Sequence, residues 1–178
     1  MSNLKPFRDY SEHDVINLFA FSGASADKGT VVVANGQGIN LKDATLIDNI
    51  SPYGNSVSSH LSVPWTVAPA ASGTTKGQIV GLLLKDVRTV DENGERLLFN
   101  PRKAAEMDVV ISGQAAPILT QGIVLFSGIV GNPGYGSGAA VSDAGNGELK
   151  VVAYGSATVG KFLGPKNDEG YALLKIEL

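Results

Sequence analysis

From Gly29 to its last residues the chain is written in short apolar runs, interrupted by turn residues about every ten positions. Thr30-Val31-Val32-Val33-Ala34 stops at Asn35-Gly36, and Glu148-Leu149-Lys150-Val151-Val152-Ala153-Tyr154 follows Asn146-Gly147. Residues 77–90 lead through Asp91-Glu92-Asn93-Gly94 into Glu95-Arg96-Leu97-Leu98-Phe99. Runs of this length, rich in Val, Ile, Leu and Thr, are too short for buried helices and suit strands. An Asn-Gly step between two such runs signals a hairpin, because both residues tolerate the positive φ of a type I′ turn. The step at Asn93-Gly94 is flanked by the two most convincing strands.

The expected fold is therefore mainly β: one β-barrel or β-sandwich (β-tulip-like) domain over residues 22–178, with at most one short helix. That helix is Pro101-Arg102-Lys103-Ala104-Ala105-Glu106-Met107, where Asn100 can cap and Pro101 suits the first helical position. Residues 61–69, punctuated by Pro64 and Pro69 around Trp65, read as an edge strand. Residues 131–138 read as a flexible glycine-rich loop carrying Tyr135.

Residues 1–21 differ from the rest. Lys5, Arg8, Asp9, Glu12 and Asp14 concentrate charge around Phe7 and Tyr10. The segment 15–21 fits a helix capped by Ser11-x-x-Asp14, or an alternating strand; an extended arm running into a first strand is the preferred expectation.

Composition narrows the function. Charged residues make up 17% of the chain, against about 25% in an average protein, so much of the surface is uncharged and suited to cover by a partner. The net charge is −3, and Lys and Arg are scattered singly, which argues against nucleic acid as the main partner. There is no cysteine, so disulfides and thiolate metal sites are excluded. Neither a signal-like apolar core near Met1 nor a stretch long enough to span a bilayer is present in the sequence, so no membrane partner is expected.

Chemical motifs fail where chemistry would occur. Gly134-Tyr135-Gly136-Ser137-Gly138 lacks the Gly-x-Ser-x-Gly spacing of a nucleophile elbow. In Gly155-Ser156-Ala157-Thr158-Val159-Gly160-Lys161-Phe162 a Phe stands where a phosphate loop needs Ser or Thr for Mg²⁺, and it reads instead as strand end, turn and strand. His13 and His60 have no motif around them, and the acids show no zinc or calcium spacing. A carboxylate pair set by the fold alone stays open at low weight. The expectation is a non-enzyme without catalytic residues, metal or cofactor.

Three stretches carry a family likeness. Residues 4–19, from Leu4-Lys5-Pro6-Phe7-Arg8-Asp9-Tyr10 to Asn17-Leu18-Phe19, resemble the opening of bacteriophage structural proteins. Residues 77–88, Gly-Gln-Ile-Val-Gly-Leu-Leu-Leu-Lys-Asp-Val-Arg, are similar to a strand pattern of capsid decoration (cement) proteins. Residues 160–163 and 170–178 resemble the terminal strand pair of such barrels. The resemblance implies a virion protein on the capsid exterior, assembled in the host cytoplasm, whose partners are the major capsid protein and its own copies, a trimer first. It implies an interface through the arm, with Phe7, Arg8, Tyr10, Phe19 and Trp65 as candidate contacts. The alternative is another virion surface component: a head fibre base, a tail protein or a glycan-binding adhesin. A hydrolase depending on His60 or a carboxylate pair ranks last.

Overall fold

The computed structural model describes residues 4–6, 10–11, 13–35, 65–144, 146–153, 155 and 159–178. Among these the chain is mainly β, with fifteen strands in three sheets and one short α-helix.

A six-stranded sheet has the order β2-β9-β6-β4-β5-β3. Its members are β2 (Val15–Ile16), β3 (Phe19–Phe21), β4 (Val31–Asn35), β5 (Trp65–Pro69), β6 (Ile79–Leu83) and β9 (Ile118–Leu119). The sheet curls on itself. Ala20 on its last strand bridges Ala115, just ahead of β9, and Ala116 N–H donates to the Phe19 carbonyl at 2.9 Å. A seven-stranded sheet has the order β1-β10-β15-β14-β12-β13-β11. It comprises β1 (Leu4–Pro6), β10 (Gln121–Phe126), β11 (Ile129–Val130), β12 (Gly138–Val141), β13 (Leu149–Val152), β14 (Gly160–Phe162) and β15 (Ala172–Glu177).

Two cores follow from side-chain alternation. Val31, Leu82 and Leu119 join Val124, Phe126, Phe162, Leu174 and Ile176 in the core between the sheets. Their chain neighbours Val32, Leu83 and Ile118 point the other way, into the curl, where they meet Phe21 and Val67. Strands β4, β6 and β9 are thus buried on both faces, which is why they read as unbroken apolar runs. In β10 and β15 buried and half-buried residues alternate, since only one face meets a core. The sheets are also tied through the β12–β13 hairpin. Its Gly147 carbonyl accepts the Val31 N–H at 3.0 Å, and a Cβ on Gly147 would stand 2.5 Å from Thr30 Cγ2.

A smaller module completes the chain. β7 (Asp86–Arg88) pairs in parallel with β8 (Val109–Ile111), and the crossover holds a 3-10 turn (Leu97–Phe99) and helix α1 (Pro101–Glu106). Leu97, Ala104 and Ile111 form its own small core. Asn100 caps α1, its Oδ1 accepting the Lys103 N–H at 3.3 Å, and Pro101 stands at the helix start as expected.

Four local expectations change. The run 77–90 is not one strand but a 3-10 turn (Lys76–Gln78), β6 and β7, with β7 in a different sheet. Residues 95–99 do not continue a hairpin: after a single Val90–Arg96 bridge the chain coils into the 3-10 turn, which buries Leu97 under Ala104 and Ile111. At Asn93-Gly94 only the glycine has positive φ, at 84°, so the turn is type I closed by a left-handed Gly, not type I′. The Asp91 carboxylate explains this choice, because its Oδ1 accepts both Asn93 N–H (2.9 Å) and Glu95 N–H (2.8 Å). Finally, β5 lies between β4 and β3, not at an edge. Its Pro69 is tolerated because pairing with β3 has already ended at Val67.

Candidate interaction surfaces

The described parts of the N-terminal segment are stitched along both sheets. β1 forms one edge of the seven-stranded sheet, β2 and β3 the two ends of the six-stranded one. Three of the four terminal positions in these sheets, among the described residues, are thus filled from residues 4–21. Each strand is only two or three residues long, and short edge strands limit uncontrolled pairing. The fourth, β11, is guarded by Lys166, whose Nζ donates to the Ile129 carbonyl at 3.1 Å.

The segment is anchored by its own side chains. Leu4 is buried opposite Phe126, while Lys5 faces outward. The Lys5 ammonium lies 3.0 Å from Glu169 Oε2 and 4.3 Å from the centre of the Tyr171 ring. The Glu169 carboxylate raises the pKa of Lys5 above the ordinary lysine value. Before β2 the chain turns on a reciprocal pair: Ser11 N–H and Oγ donate to Asp14 Oδ2 at 3.1 and 3.0 Å, and Asp14 N–H donates to the Ser11 carbonyl. The geometry is that of a helix cap, and it launches a strand.

Of the five candidate contacts, Tyr10 is half-buried against the inter-sheet core. Its ring lies over Gly122, whose φ of 147° leaves that space empty of a side chain. Phe19 is half-buried against the core of the curl and is the register partner of Trp65 across the parallel β3–β5 pair. These two positions are brought together; Tyr10 belongs to the other core. Phe7, Arg8 and His60 lie outside the described residues, and His13 is exposed in the turn before β2.

Among the described residues, the most exposed large apolar groups are elsewhere. Tyr135 is 84% exposed and Phe99 65%, with Val130 and Leu18 next at 51% each. Tyr135 sits on a loop that is tied down: Gly136 N–H donates to the Phe162 carbonyl at 2.9 Å, and Ser137 Oγ accepts from Gly134 N–H at 3.0 Å. An aromatic residue inside a glycine-rich stretch was the sequence signal for it. Phe99 gave no such signal, since Leu97-Leu98-Phe99 reads as strand interior.

A groove of about 380 Å³ lies between β4, β6 and the 3-10 turn that precedes β6, lined by Val33, Ala34, Thr74, Gly77, Gln78, Ile79 and Val80. It follows a bulge: Val32 pairs with Gly81 but Val33 pairs with Ile79, leaving Val80 as the extra residue. Among the described residues no titratable side chain lines it, and the residues that line it offer shape and hydrogen bonds. Among the described residues no group of three or more His, Asp or Glu is placed to hold a metal ion, and no helix is long and apolar enough to cross a membrane.

The chain matches no protein-family model, and no curated protein matches it either.

Proposed function

We propose that this protein is a structural component of a bacteriophage virion, which binds the outside of the capsid and clamps neighbouring capsid subunits. One observation carries the reading: the described strands of the charged N-terminal segment, β1, β2 and β3, stand at the ends of both sheets. A strand edge is where a neighbouring subunit's chain can add main-chain hydrogen bonds. A ligand that binds only the assembled shell stabilises it by RT ln(1 + [L]/Kd) per site, and many copies, as trimers, make modest single-site affinity sufficient. Phe7 and Arg8 are the residues of the segment proposed to touch the capsid.

The test is co-sedimentation of purified protein with empty expanded shells, alongside its mass in solution. Saturable pelleting with shells supports the reading; protein left in the supernatant at high concentration overturns it. Deleting residues 1–21 would be uninformative, because Leu4, Ala20 and Phe21 are buried in the cores. The paired substitution Phe7→Ala/Arg8→Ala is the sharper variant, expected to lower shell binding, with the circular dichroism spectrum and thermal midpoint measured alongside to separate a lost contact from a lost fold. The exposed Tyr135 ring favours a second reading, a glycan-binding surface component, which requires binding to host cells without any capsid and its loss in Tyr135→Ala.

A further inference from the structure

Two Asn-Gly steps lie within the described residues, and their surroundings differ in a way that bears on covalent chemistry. An asparagine followed by glycine can lose its amide. The glycine nitrogen attacks the Asn side-chain carbonyl carbon, the new C–N bond closes a succinimide ring, and the carboxamide nitrogen leaves as ammonia. Water then opens the ring at either carbonyl, giving aspartate or isoaspartate. The net change is one amide and one water converted to one acid and one ammonia, with no redox step. Glycine permits the attack because no side chain crowds its nitrogen, and the backbone must be free to turn that nitrogen onto the carbonyl.

We propose that Asn93 is a site of spontaneous deamidation in the folded protein, that the Asp91 carboxylate restrains its rate, and that Asn146 is protected by the fold. Asn93 and Gly94 are both exposed, and a Cβ built on Gly94 would meet nothing within 4 Å. What holds the turn closed is Asp91: Oδ1 accepts from Asn93 and Glu95, and its carbonyl accepts the Gly94 N–H at 3.2 Å. That last contact occupies the very nitrogen that must attack. At the other step Gly147 is buried, its carbonyl holds the Val31 N–H, and its Cα lies against Thr30 and Val31. Opening the turn at Asn146 therefore means pulling the hairpin away from β4. Opening it at Asn93 means breaking only the bonds to Asp91 and the adjoining strand ends.

The product adds a carboxylate beside Asp91, Glu92 and Glu95, on the loop whose Glu92 is held by Lys103 at 2.6 Å. Isoaspartate also lengthens the backbone by one carbon within a turn whose bonds all converge on one side chain. This inference does not depend on the virion reading.

The experiment incubates the intact protein in mildly alkaline buffer and follows both sites by peptide mass spectrometry, with chain unfolded in urea as the reference. Folded protein should accumulate aspartate and isoaspartate at position 93 well ahead of position 146, whereas in urea the two should keep pace. Asp91→Ala removes both side-chain bonds and should speed position 93 by about thirtyfold, the factor that loss of two net hydrogen bonds gives an opening equilibrium, and leave position 146 unchanged. Asp91→Ser, which keeps an acceptor for the turn, should stay close to the parent rate. Equal rates at the two sites in the folded protein, or an Asp91→Ala rate equal to the parent's, would overturn the proposal. If Asp91→Ala unfolds, position 146 will accelerate too, and the parent and Asp91→Ser rates then decide.

Discussion

The two large sheets solve the same burial problem in different ways. In the six-stranded sheet, β4, β6 and β9 are sandwiched: neighbouring residues such as Leu82 and Leu83 are both fully buried, each in a separate core. In the seven-stranded sheet, Leu174 is fully buried while Leu173 faces outward beside Leu125, and Lys161 and Lys175 share that outer face. Along their buried runs β4, β6 and β9 therefore have no spare face. The seven-stranded sheet keeps a whole face on which long lysine stems can lie over apolar neighbours. The curled sheet is the scaffold, and the outward face of the other sheet is where surface properties can change at little cost.

Truncating adjacent residues should show the largest difference between the two sheets. Leu82→Ala and Leu83→Ala should each cost about 2–5 kcal/mol, because each leaves a cavity in a closed core. In β15, Leu174→Ala should cost a similar amount but Leu173→Ala only roughly 1 kcal/mol or less, since its outer position is half-buried. Urea unfolding midpoints of the four variants decide it. If either Leu82→Ala or Leu83→Ala proves as mild as Leu173→Ala, β6 is not two-sided.

Backbone spacing gives a second, smaller contrast. A Cβ on Gly160 would stand 2.0 Å from the Lys175 carbonyl oxygen, and one on Gly81 2.3 Å from that of Leu119. Both glycines let strands approach where a methyl group would force backbone apart, so Gly160→Ala and Gly81→Ala should each destabilise by about 1–3 kcal/mol. Gly77→Ala is the control: nothing lies within 4 Å and its φ is not positive, so it should be neutral or stabilise by about 0.4–1 kcal/mol. Thermal midpoints should place Gly77→Ala at or above the parent and both strand variants below it.

The same contrast governs what could be read without coordinates. One-sided strands such as β10 and β15 announce themselves by alternation. The two-sided runs at 31–33 and 82–84 were legible as strands, but nothing local says that Val31 and Val32 serve different cores, because that depends on which sheets close over them. Asn100-Pro101 was legible because a cap is a contact between near neighbours. Residues 97–99 were not: three apolar residues fit a strand or a 3-10 turn equally, and only Ala104 and Ile111 decide between them. Among the candidate contacts, the aromatic character of Tyr10 and Phe19 was plain. That each rests against the chain's own core follows from long-range neighbours, Gly122 for Tyr10 and β5 for Phe19.

The smallest effects belong to the charged groups on and around the open face, and they split by pH. A hydrogen bond from Lys150 holds the Asp143 carboxyl below the usual aspartate range, with Ser72 Oγ also donating to it at 3.3 Å. Lys175 likewise lowers Glu177, helped by the nearby charges of Lys161 and Lys76. A carboxyl whose pKa falls on folding contributes stability above its unfolded value and loses it as pH drops through the folded one. Lys5 runs oppositely: its pKa is raised by Glu169, so its contribution is complete below the ordinary lysine range and disappears as pH climbs through the raised value. Carboxyl resonances of Asp143 and Glu177, followed by NMR, should therefore titrate below those of the same residues in the unfolded chain. Lys150→Ala should return Asp143 toward the ordinary range while leaving Glu177 in place. Because all these groups reach solvent, added salt should shrink the shifts. Shifts that persist at high salt would mean that the outer face is drier than its half-buried leucines suggest, and that something covers it.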